Sequence, residues 1–183
     1  MLKRLGFTLI AMIMALATLG AAVGTAFAKT SENNESGTTV NVTSGHAISA
    51  TLGRNGINIT SSPYTGELDL TRTKPTVGDH LRGTDAKFVD AILTLTVDNA
   101  NHERAMSIKS ASGYVYFDLN KYESSLWNSK ELAIYGYNSN TDSWTSLSTR
   151  WASAGPTGYG RLAASVSNYS AFALGTPTTS TSS

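Results

Sequence analysis

The chain has 183 residues, with 14 Lys and Arg, 13 Asp and Glu, three His and no Cys. This near-neutral balance excludes the basic footprint of a nucleic-acid-binding protein. The lack of cysteine excludes disulfides and thiolate metal sites, so stability must come from a hydrophobic core.

The N-terminus has the pattern of a secretory signal. Lys3 and Arg4 precede an uncharged run that continues to Ala28. Ala26 and Ala28 fit the small-residue pattern that signal peptidase reads, which predicts a signal peptide over residues 1–28. The alternative is an uncleaved anchor, because 24 uncharged residues are enough to span a bilayer. Membrane association is expected only through this segment.

Composition divides the rest of the chain into three parts. Residues 29–37 form a polar lead, which we expect to be flexible, and residues 38–175 form one β-rich domain. Residues 176–183 are a Thr/Ser-rich tail without an apolar side chain, so we expect it to be disordered. The mature chain would carry 12 basic and 13 acidic residues. We expect it to be secreted or extracytoplasmic, at the cell surface or in the periplasm.

Short runs with period-two alternation recur between Gly, Asn, Pro and Ser residues, which predicts an all-β fold, an antiparallel β-sandwich. The predicted strands are Val40–Thr43, Ala47–Leu52, Ile57–Thr60, Glu67–Thr71, Phe88–Val97, Met106–Lys109, Tyr114–Leu119, Leu132–Tyr137, Trp144–Leu147, Leu162–Ser167 and Ala171–Leu174. In the fifth strand, Leu93, Leu95 and Val97 share the face expected to meet the core. Lys121 to Trp127 contains two weak helix formers, Ser124 and Ser125, and is predicted to be a loop.

The C-terminal third predicts an aromatic hairpin. The strand that ends at Tyr137 leads through Asn and Asp residues, which favour turns, to a strand that begins at Trp144. We expect the Trp144 ring to lie across the preceding tyrosines. Trp144 and Phe172 are expected to be buried partners in the closing strands.

The segment Leu132 to Gly175 resembles the closing module of many bacterial and archaeal surface proteins, with its aromatic hairpin, Trp and a last strand of the type His-Phe-Ser-x-Phe-Ala-Leu. It is also similar to the final strands of self-cleaving β-sandwich modules in adhesion receptors, death-domain proteins and nucleoporins. That resemblance implies attack by the Ser170 hydroxyl on the Tyr169 carbonyl. Because Asn168 stands at the position of the assisting His, we expect no reaction.

Other catalytic and metal candidates lack a full set of partners. The three histidines, His46, His80 and His102, are scattered, and two loops carry oxygen ligands without the Gly and bidentate acid of a calcium loop. The loop residues are Asp98, Asn101 and Glu103, and Asn138, Asn140 and Asp142. Glu67 and Asp69 share a strand face, which is typical of a solvated surface or, alternatively, of a glycosidase pair or a calcium site. No cofactor is predicted.

Three aromatic residues in predicted loops are candidates for a binding surface: Trp127, Trp151 and Tyr159. They could stack on a glycan, anchor a protein partner, or plug the end of the sandwich. We therefore expect a non-enzymatic module with a structural, adhesive or binding role at the cell surface. The alternative is an enzyme, either a degenerate self-cleaving module or a secreted hydrolase.

The signal-peptide hypothesis predicts that the exported protein begins at Lys29, because Ala26 and Ala28 fit the peptidase pattern. N-terminal sequencing of the exported product checks this. A product that still starts at Met1 would replace the signal peptide with a membrane anchor.

Overall fold

The alternating runs form two antiparallel sheets. The computed structural model describes residues 26–30, 36–62, 64–75, 80–99, 104–105 and 112–177, which contain fourteen strands and one helix. In chain order these are β1 (Ala26–Thr30), β2 (Ser36–Val42), β3 (Ile48–Leu52), β4 (Asn55–Ser61), β5 (Gly66–Thr73), β6 (Lys87–Phe88), β7 (Ile92–Asn99), β8 (Arg104–Ala105), β9 (Ser112–Asp118), α1 (Lys121–Asn128), β10 (Ala133–Asn138), β11 (Ser143–Ser146), β12 (Arg150–Ser153), β13 (Arg161–Ser165) and β14 (Ala171–Thr176).

The strands pair in two sheets that pack against each other. Sheet A has the order β1-β2-β5-β7-β14-β10-β11, with β6 beside β14 and β8 beside β7. Sheet B has the order β12-β13-β9-β4-β3. The prediction of an all-β antiparallel sandwich is therefore confirmed.

The main core lies between the two sheets. Leu93, Leu95 and Val97 of β7 face it, as their alternation predicts, and Phe117 of β9 and Leu162 of β13 meet them from sheet B. All five side chains are buried. Burial of this apolar surface is the dominant favourable contribution to folding.

A second apolar cluster, which we call the outer cluster, covers the other face of sheet A. It consists of Leu81, Ala86, Phe88, Tyr135, Trp144, Ala171 and Ala173. Strand β6 pairs with β14, and the amide N–H of Val89 extends this pairing by donating to the carbonyl oxygen of Leu174 at 3.0 Å. The loop before β6 places Leu81 against Gly175 of β14, where a Cβ would lie 3.3 Å from the Leu81 side chain. Sheet A is therefore covered on both faces around β14.

Trp144 and Phe172 are both buried, but they are not partners. Trp144 lies opposite Tyr137, and Tyr137 lies opposite Ala171, so these three share the outer face of sheet A. Phe172 follows Ala171 in the strand and therefore faces the main core. Its ring contacts Tyr169 at a centroid distance of 6.2 Å.

The Trp144 ring contacts Phe88 and Tyr137 at centroid distances of 5.7 Å and 5.4 Å. The predicted hairpin and the contact of Trp144 with a preceding tyrosine are confirmed.

The predicted loop from Lys121 to Trp127 is wrong, because this segment is the helix α1. A capping box starts it: Asn120 Oδ1 accepts the amide N–H of Glu123 at 2.9 Å, and Glu123 Oε2 accepts that of Asn120 at 2.7 Å. These two bonds satisfy amide groups that a helix leaves unpaired at its start. The cap and the packing of Leu126 and Trp127 against the main core outweigh the low propensity of the serines.

Other predicted strands and boundaries also differ from the structure. The predicted strand Phe88–Val97 is divided into β6 and β7, because residues 89–91 leave the ladder where the Asp90 carboxylate binds arginines. Strands β1, β8 and β12 were not predicted. Residues 29–30 and 36–37 of the predicted lead belong to β1 and β2.

Parts of the predicted organisation lie outside the described residues. These are residues 1–25 of the signal peptide, the strand Met106–Lys109, and residues 178–183 of the tail. Cleavage after Ala28 would fall within β1, and it stays a prediction. No helix among the described residues has the length and hydropathy that a bilayer span requires.

Truncation tests the two aromatic anchors. We expect Phe172→Ala and Trp144→Ala each to lower the free energy of unfolding by about 3–5 kcal/mol, because each leaves a cavity on one face of sheet A. Urea denaturation measures this. Tyr122→Ala is the control: its ring is 64% exposed, so the change should be within about 0.5 kcal/mol. Unchanged midpoints for both core variants would contradict the assignment.

Candidate functional site

An ion-pair network closes one end of the sandwich. Arg54, in the β3–β4 turn, donates to Glu123 Oε2 at 2.8 Å and to Glu123 Oε1 at 3.1 Å. It also donates to Asp90 Oδ2 at 3.3 Å, and Arg72 of β5 donates to Asp90 Oδ1 at 3.1 Å. The network thus joins sheet B, sheet A and α1. The hydrogen bonds to Glu123 are the main reason that the pKa of Arg54 lies above its usual value.

A second ion pair lies beside the first on the outer face of sheet B. Arg161 of β13 donates from Nε and Nη2 to the two carboxylate oxygens of Asp118, at 2.6 Å and 2.8 Å. These bonds are the main reason that the pKa of Arg161 is raised. The Arg161 guanidinium also lies 4.0 Å from the centroid of the Tyr116 ring, a cation–π contact. Gly56 provides the space for this ring, because a Cβ at that position would lie 2.5 Å from the Tyr116 hydroxyl.

Three exposed aromatic side chains belong to the elements that carry or adjoin these ion pairs, and we call them the aromatic corner: Tyr122, Trp151 and Tyr159. They are the large apolar side chains that the described residues leave most exposed, at 64%, 47% and 44%. None of the three makes a ring contact with another aromatic residue in the described part of the chain. Each ring therefore keeps exposed surface that a ligand can contact.

Backbone contacts connect the elements that carry the aromatic corner. Trp151 lies against Gly160, where its ring fills the space that a Cβ would need, and Tyr159 precedes that glycine. The loop 154–160 is tied to Leu119, whose amide N–H donates to Gly160 O at 2.8 Å and whose carbonyl accepts Thr157 Oγ1 at 2.7 Å. Leu119 stands just before α1, and Tyr122 is in the first turn of that helix.

The structure separates the three aromatic residues named from the sequence. Trp127 is in α1 and not in a loop, so its predicted placement is wrong; it is half-buried and packs against the main core, which agrees with the alternative that this ring plugs the end of the sandwich. Trp151 is in the edge strand β12 rather than in a loop, but it is exposed, and Tyr159 is exposed in a loop. Sequence reasoning missed Tyr122. The signal that could have revealed it is the capping box at Asn120 and Glu123, which places residue 122 in a first helical turn.

The carboxylates and histidines do not form a hydrolytic site in the described residues. Glu67 is exposed on the outer face of sheet A, and Asp69 on the same face accepts the Thr39 hydroxyl at 2.6 Å. His46 and His80 are exposed, and the only side-chain hydrogen bond of His46 is to Ser44 O at 3.2 Å. His102 lies outside the described residues.

Turn chemistry accounts for the second oxygen-rich loop. Asn138 Oδ1 accepts the amide N–H of Asn140 at 2.9 Å, and Asp142 accepts the Tyr137 hydroxyl and pairs with Arg82. Across the described residues, no three His, Asp or Glu side chains are grouped as metal ligands. In the first loop, residues 101 and 103 lie outside the description, and Asp98 is at the end of β7.

The segment that resembles self-cleaving strands is held as ordinary sheet structure. Ser170 is buried, and both its amide N–H and its hydroxyl donate to Tyr137 O, at 3.1 Å and 3.4 Å. A carbonyl oxygen cannot take the hydroxyl proton at neutral pH. Asn168 is exposed with φ of 70°, a conformation that Asn adopts readily, and the Tyr169 ring packs against Gly136.

Comparison of the chain with protein-family models, with curated proteins and with solved structures gives no match. The basis for a function is therefore the geometry of the ion pairs and the aromatic corner.

The bond between Tyr169 and Ser170 should stay intact, because general-base assistance contributes about 10² to 10⁴ in rate and Asn168 cannot supply it. Intact-mass spectrometry of the purified domain should show one chain. Asn168→His restores the missing base, and cleavage in that variant alone would show that the base is the limiting group. Two wild-type fragments divided before Ser170 would contradict the prediction.

Proposed function

We propose that the domain is a non-enzymatic binding module, exported to the cell surface or periplasm, that holds a glycan at the aromatic corner. The observation that carries the proposal is the placement of Tyr122, Trp151 and Tyr159, exposed and without aromatic partners, on connected elements. Flat aromatic rings cover the apolar C–H faces of sugars, and their polar tips stay in water.

The hydrogen-bonded backbone next to Trp151 and Tyr159 favours binding. The loop 154–160 is closed on itself by the amide N–H of Gly160, which donates to Ala154 O at 2.8 Å, in addition to its bonds to Leu119. Because the backbone beneath the rings is fixed before binding, less conformational entropy is lost when a ligand docks.

A glycan fits the corner better than a folded protein partner. Specific protein interfaces bury at least about 1,000 Å² and have a contiguous apolar centre. The three rings are instead interspersed with small or polar exposed residues, among them Ser153, Pro156 and Gly158. Isolated ring faces with polar surroundings suit a chain of sugars, each with an apolar face and a hydroxyl rim.

The enzymatic alternatives lack support from the described residues. Glu67 and Asp69 lie on sheet A, whereas the aromatic corner belongs to sheet B and α1. The Ser170 hydroxyl is buried and has a carbonyl as its partner.

Removal of one ring tests the proposal. We expect a soluble polysaccharide to retard the wild-type domain in affinity gel electrophoresis, and Trp151→Ala or Tyr159→Ala to weaken binding about tenfold or more, which corresponds to about 1.4 kcal/mol or more. Trp127→Phe is the matched control, because Trp127 packs against the main core, and it should keep wild-type retardation. The proposal would be refuted if no polysaccharide in a panel of neutral and acidic ones retarded the wild-type domain.

A further inference from the structure

The described arginines differ in one respect. Arg54, Arg72, Arg82 and Arg161 each pair with a carboxylate. Arg150, in β12, is exposed and is the one arginine among the described side chains without an acidic partner. An unpaired exposed guanidinium beside a binding surface is available to a ligand.

Arg150 lies against a tyrosine of β9 as Arg161 does, but it lacks the carboxylate partner that Arg161 has. Two neighbouring tyrosines on the outer face of sheet B, Tyr114 and Tyr116, have ring centroids 6.5 Å apart. Arg161 lies over the Tyr116 ring and forms an ion pair with Asp118. Arg150 lies 5.7 Å from the centroid of the Tyr114 ring and has no carboxylate partner among the described side chains. The Tyr114 ring restricts the guanidinium and leaves its donors free.

Arg150 is also continuous with the aromatic corner, because it directly precedes Trp151 in the edge strand. All four residues of β12 are exposed. Successive side chains of a strand point to opposite faces, so Arg150, opposite Ala163, lies on the outer face of sheet B and Trp151, opposite Leu162, lies on the other. Because β12 is the free edge of sheet B, a ligand that wraps around this edge would contact both the Trp151 ring and the Arg150 guanidinium.

The charge around the corner favours an anion. The nearby carboxylates of Asp118 and Glu123 are already neutralised by Arg161 and Arg54. Arg150 and Lys121, in the first turn of α1, are both exposed and make no ion pair in the described residues. The charges left unneutralised at the corner are thus positive, although the mature chain as a whole is nearly neutral.

We infer that the ligand is an acidic glycan, a polymer of uronic acids, and that Arg150 binds a sugar carboxylate while Trp151 stacks on a sugar ring. This inference rests on the proposed function and specifies its ligand. A planar guanidinium matches the two oxygens of a carboxylate and can bind them with two parallel hydrogen bonds.

A matched pair of ligands tests the charge alone. Polygalacturonate oligosaccharides carry a carboxylate on each sugar, and their methyl esters keep the ring but lose the charge. By calorimetry, we expect the wild-type domain to bind the acid form at least tenfold more tightly than the ester. The difference should shrink as NaCl is raised, since salt screens exposed charges.

Substitution assigns this preference to one side chain. Arg150→Gln should lower the ratio of acid affinity to ester affinity to about one, and Arg150→Lys should keep only part of that ratio, because an ammonium lacks the planar fork. Arg82→Gln, an exposed arginine outside the corner, is the control and should keep the full preference. Urea denaturation should give the wild-type midpoint for Arg150→Gln.

The outcomes separate the inference from the proposed function. Equal affinity of the wild-type domain for acid and ester, with Trp151→Ala weakening both, would overturn the inference and leave glycan binding in place. Retention of the acid preference in Arg150→Gln would also overturn it. Failure to bind either form, together with failure to bind any neutral polysaccharide, would overturn both.

Discussion

The ion pair between the half-buried Arg54 and the buried Glu123 is the interaction on which the geometry of the corner depends. Glu123 Oε2 accepts hydrogen bonds both from Arg54 and from the backbone of Asn120, so one carboxylate fixes the β3–β4 turn and the start of α1. The residue before the cap, Leu119, then holds the loop that carries Tyr159. Because the pKa of Arg54 is raised above an already high value, Arg54 stays charged as the pH rises, and its side of the ion pair is lost only in strong alkali.

Much of the fold can be predicted from the sequence, because most strands bury one face. Leu93, Leu95 and Val97 illustrate this, since their alternation identifies the buried side without knowledge of the neighbouring strands. The pattern fails where a tertiary or capping interaction determines the type of element or which of its faces is buried. Asn120 and Glu123 start a helix that average propensities disfavour, and the outer cluster gives β10, β11 and β14 an apolar second face that a simple sandwich lacks.

The candidate site is less predictable, because exposure depends on which elements meet. Trp127 and Trp151 look equivalent in the sequence, but the helix turns Trp127 towards the core while the edge strand leaves Trp151 in solvent. That Arg150 has no acidic partner among the described side chains is also beyond any local pattern. It depends on which residues lie beside Tyr114, and the pairing of β9, β12 and β13 decides this.

The position of β14 has a consequence for the order in which the molecule can assemble. This strand is the last of the described strands in the chain, yet it lies in the middle of sheet A, between β7 and β10. During synthesis from the N-terminus, β7 and β10 each have one unpaired edge until residues 171–176 have been made. Open edges are templates for pairing with other chains. A nascent or truncated chain without β14 is therefore an aggregation hazard, and folding of the domain is a late, nearly all-or-none event.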